Sequence, residues 1–390
     1  MANKNNLRHL MFGLAGSALL LTPQAYANET IKIGVMLPFS GAYAALGSDG
    51  RNGLRLALKE HRERLHGSNI EFIEMDTEAR PERAPEISSA LLNRHKADFI
   101  VGPVHSGVAN GMLRTLRNRD TIMIVPNAGS AEVTGALCAP NVFRTSFSSW
   151  QTSYPMGQVA ADKGYKRVVT ITWNYGMGRE SVDAFEESFT AAGGEIIRKM
   201  LVPFPRTDFQ SYISEIASLQ PDAVFVFFAG SGAVQFALDY DALGLRERIP
   251  LIGSGFLTEG TLGAQGKAAE GLVTTLHYAD ELDNPNNVKF RELYKSEYNR
   301  DADLYAVQGY DAGLMIVEAI DQLQGKVKDR QAVIEVMRNM TVPSPRGDFT
   351  FSKAHNPIQN VYLREVKDGV NRVIDVAMPA LEDPARGCNM

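Results

Sequence analysis

From residue 31 onward, short continuously apolar runs alternate with longer stretches whose apolar side chains recur every three or four positions. IKIGVML (31–37), IEFIEMD (70–76), DFIVGP (98–103) and TIMIVP (121–126) read as strands. Between them, Asp49 to Arg64, Pro81 to His95 and 107–118 read as helices. Strands without polar alternation, separated by helices, predict a parallel sheet covered on both faces.

The rhythm then restarts. NVFRTS (141–146) leads to a helix near 151–163, and RVVTITW (167–173) to one near 178–193. A strand at 195–202, a helix near 208–219, DAVFVFF (222–228), a helix near 232–243 and PLIGSG (250–255) complete a second unit of similar size. The last third differs. A strand over 271–280 precedes helices near 287–299, 303–323 and 330–340, and the end is β: GDFTF (347–351), NVYLREV (360–366) and NRVIDVA (371–377). Asp368-Gly369 supplies a hairpin turn between the last two. This order predicts that the chain returns to complete the first unit. Several crossings between two lobes make a hinge, and a small ligand would sit in the cleft between them.

The first 27 residues read as a secretory signal peptide. Lys4, Arg8 and His9 form a basic start, Leu10 to Leu21 a short apolar run, and Ala25-Tyr26-Ala27 a small-residue cleavage site. The apolar run falls short of the roughly 20 residues of a spanning helix. Cleavage after Ala27 predicts a soluble, exported protein in the periplasm, without a lipid-anchoring Cys. An oxidising compartment gives Cys138 and Cys388 a meaning: a disulfide between them would pin the C-terminal tail. Two free thiols fit the spacing equally well.

Composition narrows the function. The 390 residues are 44% hydrophobic and 22% charged, with a formal net charge of −5 and no basic block. Nucleic acid is therefore a poor partner. The dinucleotide fingerprint G-x-G-x-x-G is absent after the first strand, as are a phosphate loop and a G-x-S-x-G elbow. His61 and His66 are five apart, off the spacing of helix-borne zinc ligands. Glu186-Glu187 and Asp239/Asp241 read as solvated helix faces. No cofactor and no metal are expected.

In parallel α/β sheets, ligands meet the loops beyond the carboxyl ends of strands. Pro38 to Tyr43 is the first such loop. Gly102 to Gly107 is the second: Ser106 would cap the next helix, and the N–H groups behind it form a carboxylate seat, with an ordinary helix cap as the competing reading. Asn127, Ala128, Gly129 and Ser130 form a small polar loop that reads equally as a turn. In the second unit, Trp173 favours the core, whereas Tyr175 on the same W-N-Y-G-M-G loop points to the cleft. Ala229 to Gly232 and Gly253 to Phe256 complete the rim, and Phe256 could stack on a ring.

IKIGVMLPFSGAYAALG, the G-P-x-x-S-G loop, VPNAGS, the W-N-Y-G-M-G loop and VFFAGSGAVQF resemble type I periplasmic solute-binding proteins of the branched-chain amino acid class of ABC importers, across essentially the whole mature chain. The resemblance implies two Rossmann-like α/β lobes joined by three crossovers that close like a hinge. With the element order, it divides the chain into a signal peptide (1–27), an N-terminal lobe (28–148 and 278–358), a C-terminal lobe (149–277 and 359–378) and a tail (379–390). It implies Ser106 for the ligand carboxylate, Ala128, Gly129 and Ser130 for the small loop, and Tyr175 from the second lobe. Gly255 stands where the family's ammonium-binding acid is expected, Ser231 where an aromatic hydroxyl often stands, and Glu259 is four residues late.

FFAGSGAV, PLIGSGFLTEG, LHYADELDNPNN, SPRGDFTF and NPIQNVYLREV resemble the subgroup that binds aromatic carboxylates such as benzoate or hydroxycinnamate-type compounds. Ser106 and helix N–H groups would then take the anion, and Tyr43, Tyr175 and Phe256 the ring. His105 could add a hydrogen bond or be a structural loop histidine. The expected protein is a non-enzymatic, monomeric receptor that delivers a small carboxylate to an inner-membrane ABC permease, without membrane insertion. A branched-chain amino acid receptor, a sensor subunit and an exported α/β enzyme are the alternatives.

Overall fold

The computed structural model describes Met1 and residues 30–390. The expected leader therefore lies outside the described residues, apart from Met1.

The first sheet contains β1 (Thr30–Leu37), β2 (Asn69–Asp76), β3 (Phe99–Val101), β4 (Ile122–Val125) and β5 (Val142–Arg144). Their order is β2-β1-β3-β4-β5, every pair parallel, with Ile33 opposite Phe99 and Val35 opposite Val101 in the β1–β3 ladder. β3, β4 and β5 are buried at every position, whereas the edge strand β2 is nowhere fully buried. The unbroken apolar runs thus mark strands with helices on both faces.

The second sheet holds β6 (Arg167–Trp173), β7 (Glu195–Val202), β8 (Ala223–Phe227), β9 (Leu251–Ser254) and β10 (Val273–Leu276), parallel in the order β7-β6-β8-β9-β10. β12 (Pro357–Lys367) runs antiparallel to β10 and pairs with the short β11 (Thr350–Phe351) and with β13 (Val370–Leu381). Asp368 (φ 54°) and Gly369 (φ 72°) form the turn between β12 and β13, both in the left-handed region that a two-residue hairpin demands.

The helices are α1 (Ala44–Glu60), α2 (Ala84–Ser89), α3 (Ser106–Leu116), α4 (Ser149–Asp162), α5 (Gly176–Ala191), α6 (Gln210–Leu219), α7 (Gly230–Ala242), α8 (Leu262–Gln265), α9 (Pro285–Tyr298), α10 (Leu304–Gln322) and α11 (Arg330–Asn339). Several strands are shorter than the sequence suggests. The run at 271–280 is extended only over β10, and 347–351 only over β11. The return to the first lobe is also divided. Helix α10 packs on α1, but the terminal strands join the second sheet rather than the first.

The chain passes between the sheets three times: after β5, after β10 and before β12. Charged and amide side chains are buried at these passages. Arg346 Nε donates to Asp311 Oδ2 at 3.0 Å, its Nη1 donates to the Ser146 carbonyl at 3.2 Å, and Nη2 to that of Thr145. Gln359 Nε2 donates to the same Ser146 carbonyl at 2.6 Å. Ser148 and Gln151 form a capping box that starts α4 directly after the first passage. A disulfide joins Cys138 to Cys388 with Cα atoms 5.6 Å apart, fixing the tail beside the first sheet.

Helices α1 and α10 approach closely because small residues meet at their crossing. A Cβ on Gly309 would stand 1.9 Å from the Gly50 carbonyl oxygen, and one on Gly53 1.9 Å from that of Ala306. Neither backbone can retreat without opening the first core. Gly309→Ala is expected to cost about 1–3 kcal/mol by overpacking, read as a lower midpoint in urea; an unchanged midpoint would show that the helices slide apart freely.

Candidate functional site

The carboxyl ends of the parallel strands place three helix starts around one cleft. Helix α3 follows β3, α5 follows β6 and α7 follows β8. The first N–H groups of each have no partner within the helix. A Cβ on Gly176, the first residue of α5, would lie 3.6 Å from Ser106 Cβ, so the starts of α3 and α5 face each other across the lobes. Gly230, first in α7, has φ 53°, and its Cβ position is 3.0 Å from the Ala42 carbonyl oxygen. Only glycine lets the second lobe come this close to the loop after β1.

That loop is held from below. The Asp76 carboxylate accepts from Phe39 N–H at 2.8 Å and from the Ser40 hydroxyl at 2.7 Å. Although burial pushes its pKa up, these hydrogen bonds win and hold Asp76 below the usual carboxylate range. The loop then delivers Tyr43 to the interface, where its hydroxyl lies 3.0 Å from that of Tyr175. Tyr175, from the other lobe, occupies the N-cap position of α5 without capping it through its side chain. Burial raises the pKa of both phenols, so both remain neutral.

His105, not Ser106, is the residue that caps α3. Its Nδ1 accepts from Gly107 N–H at 3.1 Å, and burial pushes its pKa down to about 4. The ring is therefore neutral at pH 7, with its proton on Nε2. It stacks on Tyr175 at 4.6 Å between centroids. Ser106 is fully buried, and its Oγ has no hydrogen-bond partner. An unpartnered hydroxyl at the first turn of an eleven-residue helix, facing a second helix start, suits an anion.

Aromatic rings line the remainder. Phe204, on the loop after β7, lies 5.1 Å from His105, 5.3 Å from Tyr175 and 5.6 Å from Tyr43. Phe227 lies 6.1 Å from Tyr175 and 6.0 Å from Phe256. Phe256 in turn packs on Phe147 at 4.8 Å and on Tyr305 at 6.5 Å. Trp173 is core, with Nε1 bonded to the Arg206 carbonyl. Phe204, Phe147 and Tyr305 were not legible as site residues in sequence. Phe204 had a usable signal, since it follows the carboxyl end of a strand.

The other candidates divide. Asn127 is buried, but its amide donates to Gln308 Oε1 at 2.7 Å. The N–H of Ala128 is spent on the Pro103 carbonyl, and the Gly129 carbonyl accepts from Ser149. The Ser130 hydroxyl donates to Asn110 Oδ1 at 2.9 Å, so it is turned away from a ligand. Ser231 is exposed, outside the buried ring cluster, because the start of α7 turns Gly230 rather than Ser231 toward the cleft. At Gly255 there is no room for a side chain: a Cβ would stand 2.4 Å from Arg364 Nη2 and 2.5 Å from Leu276 Cβ. Arg364 also takes the carboxylate of Glu259 in a fully buried pair, so that acid is committed elsewhere.

Residues 30–371 match the model of a family described as periplasmic binding protein. The chain is 33% identical over 363 residues to the Leu/Ile/Val-binding protein homolog 6 of Brucella melitensis, covering 91% of this chain and 90% of that one. A solved solute-binding protein of an ABC transporter from R. palustris, in complex with benzoate, is similar at 43% identity and a TM-score of 0.90, covering 93% of this chain and all of the other. Another, from Rhodopseudomonas palustris BisB5 in complex with 3,4-dihydroxybenzoic acid, is 31% identical with a TM-score of 0.86, covering 91% and 99% of the two chains.

The buried His105 makes stability depend on pH. The unfolded chain binds its proton near pH 6.5, the folded protein only near 4. Its contribution is full above about pH 6.5 and is lost as pH falls toward about 4. Replacing His105 by Asn, which keeps an acceptor for Gly107, should remove about 1–3 kcal/mol of the stability lost between pH 7 and pH 4. Urea titrations at the two pH values measure this, and an equal loss in both proteins would place the pH dependence on other groups.

Proposed function

The chain belongs to the periplasmic binding protein family, and from that premise we propose that it is the extracytoplasmic receptor of an ABC importer and captures a small aromatic carboxylate between its lobes. The unpartnered Ser106 hydroxyl, buried where two helix starts face each other beside Tyr43, His105, Tyr175 and Phe204, is the observation that carries this reading. A carboxylate accepts from Ser106 Oγ–H, from His105 Nε2–H and from free N–H groups of α3 and α5. The ring packs among Tyr43, Tyr175, Phe204 and Phe256. The solved relatives in complex with benzoate and 3,4-dihydroxybenzoic acid support the same ligand class.

The lobes of this receptor are 28–148 with 278–358 and 149–277 with 359–378, and the segments after β5, after β10 and before β12 form its hinge. Ligand that touches both lobes favours the closed form, and the closed form is what a permease in the inner membrane recognises. The protein works as a binding protein rather than an enzyme, as a monomer, and reaches the periplasm by cleavage after Ala27.

A branched-chain amino acid is the second reading, favoured by the name of the Brucella relative. An α-ammonium needs a buried counter-charge. The position at Gly255 is filled by Arg364 and Leu276, and Glu259 is paired with Arg364. The site therefore favours the aromatic acid.

Benzoate and hydroxybenzoates are expected to raise the melting temperature of the purified protein, and leucine and valine to leave it unchanged. Ser106→Ala should weaken the binding of benzoate about tenfold or more in calorimetry, since a hydrogen bond to a charged group contributes about 1.5–3 kcal/mol, with the unliganded melting temperature kept. A shift with leucine alone would replace this reading by the second, and undiminished affinity in Ser106→Ala would remove that hydroxyl from the site.

A further inference from the structure

One end of the cleft has donors that a plain carboxylate does not use. The Tyr305 hydroxyl is buried and has no hydrogen-bond partner, although its ring packs on Phe256 at 6.5 Å. Burial, with the carboxylates of Asp303 and Glu259 nearby, pushes its pKa well up, so the phenol keeps its proton. His277 is buried behind the same rings, 5.2 Å from Phe147, which packs on Phe256.

The proton of His277 can be located from its neighbours. Asn127 Nδ2–H donates to Gln308 Oε1, which turns the Gln308 amide nitrogen toward His277 Nε2 at 3.2 Å. An amide nitrogen only donates, so His277 Nε2 accepts and the ring proton resides on Nδ1. Burial, with Arg346 and Arg364 nearby, holds the pKa of His277 well below 6.5, so the imidazole stays neutral. Nδ1–H is then a buried donor, and it too has no partner. Each such donor left unmet in a closed site destabilises the complex. A benzoate ring offers neither of them an acceptor.

We propose that the ligand is a hydroxylated aromatic carboxylate, and that Tyr305 Oη–H and His277 Nδ1–H, beside the Phe256 and Phe147 rings, read its ring hydroxyls. This rests on the aromatic-carboxylate reading above and narrows it to rings with a second polar group. Selectivity then comes from the site rather than from the ligand. A cleft that leaves donors unmatched around a bare ring rejects it, much as sites built for a hydroxyl reject the analogue that lacks one. The Asn127–Gln308–His277 chain is the positioning element, since it fixes which imidazole nitrogen carries the proton.

Calorimetry with benzoate, 3-hydroxybenzoate, 4-hydroxybenzoate and 3,4-dihydroxybenzoate tests this on the mature protein, on Tyr305→Phe and on His277→Phe. The two variants keep a ring against Phe256 or Phe147 while removing the donor. The expected result is that at least one hydroxylated acid binds tenfold or more tightly than benzoate, and that this ratio collapses toward one in at least one variant, which binds benzoate at least as tightly as the mature protein does. Equal or tighter binding of benzoate by the mature protein would overturn the proposal. So would a ratio unchanged in both variants, or a loss that falls equally on benzoate and the hydroxylated acids, which would assign these groups to the carboxylate or to the fold. Failure of all four acids to bind would instead remove the aromatic-carboxylate reading itself. A melting curve for each variant identifies any that fails to fold, and Tyr305→Leu with His277→Gln then carries the same comparison.

Discussion

The direction of the strands governs this molecule. A parallel ladder puts every carboxyl end on one side of its sheet, and each right-handed connection sends the next helix off from there. α3, α5 and α7 therefore begin at the cleft, each with N–H groups that its own turns leave free. Two lobes built this way bring the positive ends of α3 and α5 together. The contact between Ser106 and Gly176 is where the two lobes meet along this line.

Formal charge is kept away from that meeting point. Arg346 is paired with Asp311 at the passages between the lobes, and Arg364 with Glu259 behind Gly255. Burial raises the pKa of Asp311 to about 6 even against the pull of Arg346, which shows how dry these places are. The groups at the cleft are neutral: two histidines held below their ordinary range and phenols held above theirs. Such a lining desolvates an apolar ring at little cost and offers a carboxylate only dipoles and hydrogen bonds. An ammonium at Gly255 would find Glu259 already paired with Arg364, and its desolvation would go uncompensated there.

Closure draws on the same parts. The Tyr43–Tyr175 hydrogen bond and the approach of Gly230 to Ala42 join the lobes directly. Both lie beside the rings that a ligand would touch, so a ligand adds to contacts already present rather than creating the closed form anew. The hinge is less yielding, because Ser146 accepts from both Arg346 and Gln359.

The amino-acid sequence alone determined the architecture, because apolar runs with period-breaking turns report burial directly: β1, β3, β4, β6 and β8 stand where the pattern placed them. It also singled out Ser106, Tyr43, Tyr175 and Phe256 as candidates, since each follows the carboxyl end of a strand and such loops open onto one edge. Only the family resemblance placed the terminal strands in the second lobe, as pairing of β12 with β10 is a long-range choice that local pattern does not encode. Nor could the sequence tell that His105 rather than Ser106 caps α3, or that Ser231 faces solvent, because one residue's rotation on a helix start depends on what packs opposite. Phe147, Tyr305 and His277 were beyond it for the same reason, as was the place of Phe204, although it follows a strand end. Their rings come from four separate segments, and only the packing of one lobe on the other gives them a common neighbour.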